Sequence, residues 1–146
     1  MAKQGFNQVT YRWIEDLMAS LEAHVDPETR LAVMEGCGRG CARASARPAA
    51  AKHRGDLDGW LKTLRGWIGA ANVQAAADLR RVEVTYPRCL CHLVGQGPAR
   101  LPDAYCDCSR GWLKELFEAV LEQPVEVTLW ELVKRGGDAC RFTVAW

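Results

Sequence analysis

Near residue 80 the spacing of apolar residues changes, and that change limits what the chain can fold into. Before it, apolar side chains return every three or four positions. Val9, Trp13, Ile14, Leu17, Met18 and Leu21 form one helical stripe, Leu31, Val33 and Met34 begin a second, and Leu57, Trp60, Leu61, Leu64, Trp67 and Ile68 form a third. After it, Arg81-Val82-Glu83-Val84-Thr85-Tyr86 alternates as a half-buried strand does. Helical spacing then returns in Trp112, Leu113, Leu116, Phe117, Val120 and Leu121. Val125 to Val133 and Ala139 to Trp146 read as two strands joined at Lys134-Arg135-Gly136-Gly137-Asp138, a loop of hairpin length and chemistry. The expected fold is α+β, with N-terminal helices packed on a small antiparallel sheet and a C-terminal helix-hairpin unit. A chain of 146 residues makes one domain, residues 1–146, helical to about residue 79 and sheet-containing from about residue 80. At this length about 70% of the unfolded surface can be buried, so disulfides are not needed to fold it.

Local signals refine the boundaries. Asp26-Pro27-Glu28 supplies an N-cap, a first-turn proline and an acid for the second helix, Asp56 caps the third, and Ser109 is the expected cap of the fourth. The second helix runs into Gly36-Cys37-Gly38-Arg39-Gly40-Cys41, where each glycine costs about 1 kcal/mol relative to alanine in a helix interior. The helix either breaks there or survives because something close requires small residues. Ala42 to Arg54 reads as a surface connection or a short helix, and Ala70 to Leu79 is ambiguous. Cys89 to Leu93 is a second strand or a loop, and Gly95 to Pro102 is a loop.

The charges nearly cancel, 19 Lys+Arg against 18 Asp+Glu, and the pI is near 7.6. That balance argues against a dedicated nucleic-acid binder. No stretch approaches the roughly 18 apolar residues of a membrane span, and Met1 to Thr10 lacks the apolar centre of a signal peptide. Seven cysteines, an odd number in a chain of this size without an export signal, indicate thiols in the reducing cytoplasm rather than a disulfide scaffold.

Six of those cysteines fall in close pairs, Cys37 with Cys41, Cys89 with Cys91 and Cys106 with Cys108, while Cys140 stands alone. Each pair is a local chelate of soft sulfur, suited to zinc, cuprous copper or an iron–sulfur cluster. Cys89, Cys91, Cys106 and Cys108 flank one loop and are the expected four-thiolate set. Cys37 and Cys41 either complete a larger site or act separately. The competing readings are reversible disulfides and simple packing, and packing suffices for Cys140 beside Phe142.

Arg39, Arg43 and Arg47 repeat every four residues, opposite the Cys37/Cys41 face of a helix. A solvated basic face is the favoured reading, and an anion held by Arg39 over a glycine nest is the sharper one. Trp13, Trp60, Trp67 and Trp112 sit on helical stripes and are expected in the core, whereas Trp130 and Trp146 lie in strands and are candidates to line a ligand pocket. His92 adjoins Cys91, but neighbours in an extended strand face opposite ways, which disfavours a Cys–His nucleophile. Walker, dinucleotide and serine-elbow motifs are absent from the sequence.

Cys106, Gly111, Val125-Glu126-Val127 and Gly137-Asp138-Ala139-Cys140-Arg141-Phe142 follow one another in a recognisable order. From Tyr105 to Phe142 the chain resembles the C-terminal half of the 4-vinyl reductase domain family. The resemblance implies a small-molecule sensor with a bound zinc, whose first and last cysteine ligands correspond to Cys106 and Cys140. The two strand ligands of that family fall on Leu129 and Leu132, which bind no metal; either the site is lost or Cys108, Cys89 or Cys91 substitutes. Glu131, close by, would face the other side of the strand. A likeness to L-2-amino-thiazoline-4-carboxylate hydrolase-like proteins extends to architecture alone.

These readings converge on a cytoplasmic domain that binds metal, zinc or alternatively an iron–sulfur cluster, together with a small-molecule ligand. Its output would pass through a homodimer contact or a separate output protein. The alternatives are a small hydrolase-like or thiol redox enzyme using the clustered cysteines, and a soft-metal carrier. Coordination separates them, since three protein ligands leave a position open for catalysis and four do not.

Overall fold

Asp26 accepts a hydrogen bond from the Thr29 amide at 2.9 Å and places Pro27 at the first helical position, and from this start α2 runs from Pro27 to Ala44. In this computed structural model, which describes residues 8–76, 80–88, 101–132 and 139–146, α2 is unbroken through all three glycines. The reason lies across from it. A Cβ at Gly38 would run into the backbone carbonyl of Cys108, and one at Gly111 into the backbone carbonyl of Glu35. Two helices thus touch backbone to backbone, glycine answering glycine, and the packing outweighs the poor helix propensity of the run. Ion pairs flank the contact, Lys114 to Glu35 at 2.8 Å and Arg39 to Glu118 at 2.7 Å.

Among the described residues, three further α-helices accompany this pair. Helix α1 spans Gln8–His24, α3 Arg47–Ala51, α4 Leu57–Ile68 and α5, the partner of α2, Cys108–Leu121. Asp56 caps α4 as expected, accepting from the Gly59 amide at 3.0 Å. Ser109 is not a cap. A 3-10 turn over Asp103–Asp107 feeds directly into α5, so Asp107 takes the cap position in helical conformation and Ser109 falls inside the first turn. The Ala42–Arg54 connection contains the short helix α3, with Pro48 in its first turn.

The sheet has four antiparallel strands, β1 Val73–Ala76, β2 Arg81–Tyr86, β3 Glu126–Glu131 and β4 Cys140–Ala145, in the order β1-β2-β4-β3. Strand β1 lies in the ambiguous alanine-rich stretch, where only pairing with β2 settles its conformation. The register puts Val82, Val144 and Val127 in one row and Val84, Phe142 and Leu129 in the next. The alternation legible in the sequence thus becomes one apolar face against the helices and one polar face outside. A bulge interrupts the β3–β4 ladder between Leu129 and Glu131. The expected second strand at Cys89–Leu93, the 95–102 loop up to residue 100, and the turn at 134–138 lie outside the described residues.

Trp60, Leu64, Leu116, Phe117, Phe142 and Val144 anchor the main core between the helices and the sheet. Tyr11, Met18, Met34 and Leu101 form a second, smaller cluster beneath α1. Two of the tryptophans assigned to the core by spacing lie elsewhere. Trp13 is 63% exposed, because α1 has apolar residues on more of its circumference than its neighbours cover. Trp67 is also exposed and touches the core only by its edge, against Trp60 at 5.5 Å. No described helix is long and apolar enough to cross a membrane.

Candidate functional site

Between α1, α2 and the first turn of α5 runs an apolar groove of about 600 Å³. Leu17 and Met18 line it from α1 and Val33 and Met34 from α2, and Trp112, Tyr86 and Tyr105 complete the lining. The Gly38 contact brings the start of α5 hard against α2, and as a result three thiols from two helices open onto the same groove: Cys37, Cys41 and Cys108. Cys37 and Cys41 are exposed on α2, and Cys108 is half-buried as the first residue of α5.

At the groove's end, Tyr86 closes β2 and pairs across the ladder with Cys140. Its ring packs on Phe142 at 5.0 Å between centroids. Burial pushes the phenol well above its usual value, and the Cys108 and Cys140 sulfurs beside it push it further. The Tyr86 phenol, protonated at neutral pH as any tyrosine is, stands at the groove as a hydrogen-bond donor.

The cysteines expected to ligate metal divide between surroundings. Cys106, in the 3-10 turn, packs on the main core, while Cys108, two residues on, packs on the small cluster under α1. Cys140 is buried in the main core. Cys89 and Cys91 lie outside the described residues. The five described cysteines form no disulfide. Among the described residues, no group of three or more His, Cys, Asp or Glu side chains stands in an arrangement that could hold a metal ion.

The arginine row has a structural role. Arg39 donates to Glu115 at 3.1 Å and to Glu118 at 2.7 Å, Arg43 to Glu115 at 2.9 Å, and Arg47 lies 3.1 Å from the same Glu115 carboxylate. Burial acts to raise the Glu115 pKa, but the hydrogen bonds and charges of Arg43 and Arg39 together outweigh it and hold the carboxyl below the usual glutamate range. The row therefore joins α2 and α3 to α5. The glycine nest does not form, because in a continuous helix the amides of Gly36 to Cys41 point along the helix axis into its own hydrogen bonds.

Trp130 borders a second, polar pocket of about 650 Å³, with Glu22, Arg30, Asp103, Asp107 and Arg110 on its walls. Strand alternation puts Trp130 on the outer face with Thr128, 70% exposed, while its Nε1 donates to Thr143 Oγ1 at 2.7 Å. Burial raises the Asp107 pKa, with the charge of Arg110 opposing it. His53 shares a 2.9 Å hydrogen bond with Thr63 and lies 3.9 Å from Asp56, a row that resembles a catalytic triad on paper. It packs beside Trp60 at the start of α4, where it fastens α3 to α4.

Sequence reasoning missed the residues that give the groove its shape. Tyr86 read only as the end of a strand, Tyr105 carried no signal, and Trp112 read as core. One clue was available: the α1 stripe is wider than a single packing partner needs.

A family model matches residues 2–145, nearly the whole chain, and its family is described as one of unknown function, DUF6144. Among curated proteins no sequence matches the chain. The comparisons overturn the expected 4-vinyl reductase membership, since no such family is found. The residues that carried that resemblance are ones any helix followed by two paired strands would show: strand alternation in Val125-Glu126-Val127, turn chemistry in Gly137-Asp138, and in Gly111 a glycine that here serves the contact with α2.

Proposed function

The chain belongs to DUF6144, a family of unknown function, and from that premise we propose that its groove binds a small apolar or aromatic molecule in the cytoplasm. The observation that carries this reading is the groove itself, about 600 Å³ walled by Leu, Met, Val and aromatic side chains with a few polar groups at one end. Ligand sites are commonly of this size and composition, with polar groups that fix orientation. Tyr86 would donate a hydrogen bond to a polar atom of the ligand. Read-out would pass to a partner protein or a second copy of the chain.

The test is titration with anilinonaphthalene sulfonate, an apolar fluorescent probe. Saturable binding at one site is expected, and Leu17→Lys, at the exposed rim, should weaken it about tenfold, or roughly 1.4 kcal/mol. Equal binding by the variant and the parent would remove the groove from consideration.

A soft-metal site at the thiol end, for zinc or an iron–sulfur cluster, is the second reading. It is favoured by Cys108 lining the groove together with Tyr86, whose partner across the ladder is Cys140. Anaerobic purification with elemental analysis and an absorption spectrum tests it. Bound metal that falls in Cys108→Ser supports the site, and metal-free protein ends it.

A further inference from the structure

We propose that Cys37 and Cys41 form a two-thiol clamp on the groove wall, which captures molecules carrying one apolar substituent on a soft trivalent centre, the chemistry of monoaryl arsenic(III) compounds. The proposal deepens the groove reading and rests on it for the substituent's berth, but the clamp has its own geometry.

The two cysteines are four residues apart on an unbroken helix, so they share a face with Cβ atoms about 5–6 Å apart. A disulfide needs Cβ atoms about 3.5–4.5 Å apart. Closing the gap would require α2 to unwind between them, and that turn is held. Gly38, between the two thiols, lies against the Cys108 carbonyl, and Arg39, also between them, is bound to Glu118 at 2.7 Å. The pair therefore does not join to itself, yet both sulfurs reach a single bridging atom. Soft sulfur selects a soft centre. Both thiols are exposed and both border the groove, so a bridging atom sits at the groove's edge.

A trivalent centre bound by two sulfurs has one bond left. Cys108 opens onto the same groove, but no three-ligand arrangement occurs among the described residues. The third bond is thus best used by a carbon substituent, which lies along Val33, Leu17 and Trp112. Capture of phenylarsine oxide is a condensation. Two S–H bonds and the arsenic–oxygen bonds break, two As–S bonds form, and the oxygen leaves as water with both protons. Arsenic stays trivalent, so no oxidant or reductant takes part.

The experiment titrates the reduced, full-length chain with phenylarsine oxide and, in parallel, with arsenite, counting remaining thiols and following displacement of anilinonaphthalene sulfonate. One arsenical per chain should consume two thiols and expel the dye, and arsenite should bind more weakly. Cys37→Ser and Cys41→Ser, both at exposed positions, should each weaken capture about 100-fold, as expected when one of two linked bonds is lost. Circular dichroism checks that both variants keep the fold. Unchanged capture in either variant, or arsenite bound as tightly as the aryl compound, overturns the clamp. If the dye never binds while both serine variants lose the arsenical, the clamp stands and the groove reading falls.

Discussion

The two apolar clusters differ in how far they are closed. Between the helices and the sheet, Trp60, Phe117, Leu116 and Val144 are wholly enclosed and receive side chains from α4, α5 and all four strands. Under α1, Tyr11, Met18, Met34 and Leu101 are enclosed, but on the same helix Val9, Trp13 and Leu17 remain between 42% and 74% exposed. The first cluster is covered on nearly every apolar face, Trp67 of α4 being the exception. The second has an apolar surface left over, and the groove runs along it. Burial at about 25 cal/mol per Å² makes the first region the source of stability, and the open second region is where a ligand can contribute the missing contacts.

The clusters meet at the α2–α5 contact, so the largest effect is expected there. Gly111→Val places a side chain where the Glu35 carbonyl already is. The helices must separate, both clusters lose a wall, and a loss above about 4 kcal/mol is expected. Urea denaturation measures it, and a midpoint matching the parent would show that the two helices are not pressed together. Next in size is a matched pair. Phe117→Ala in the closed cluster should cost about 3–5 kcal/mol, whereas Met18→Ala in the open one should cost about 2 kcal/mol, since the groove side can collapse. Equal losses would erase the distinction between the regions. Hydrogen exchange sharpens it further, with α1 amides expected to exchange through local opening well before those of α5.

The smallest effect concerns the ionic row beside the contact. Glu115→Gln should cost about 1 kcal/mol at neutral pH, a modest figure because Arg43 and Arg47 are largely solvated. The sign of its pH dependence follows from the lowered pKa. The stabilisation is whole above the ordinary glutamate value of 4.5 and disappears as pH falls through the lower folded value. The variant's stability should therefore converge on the parent's in acid. A difference that persists there would assign the role of Glu115 to shape rather than charge.

Periodicity carried much of the fold. The α1, α4 and α5 stripes, the Asp26 and Asp56 caps and the strand alternation were all legible, because each depends on residues near in sequence. Strand β1 was not, since the short Val73-Gln74-Ala75-Ala76 stretch becomes a strand only by pairing with β2. The glycine run posed a choice that local propensity cannot resolve, because the deciding atoms are the backbone of Cys108 and Trp112 on the facing helix. The site was half legible. Cysteine spacing singled out Cys37, Cys41 and Cys108, but their meeting on one groove depends on that same long-range contact. Spacing also grouped Cys106 with Cys108, although the entry into α5 turns the two toward different clusters.

The glycine contact also bears on how the chain is made. Helix α2 ends at residue 44 and α5 begins at residue 108. At about 5–20 residues per second, a ribosome takes several seconds to cross that interval. For that time the nascent chain holds a glycine-laden segment whose own propensity is too weak to keep it helical. The groove and its paired thiols thus come into being late, when the second half of the protein arrives to complete a helix encoded in the first.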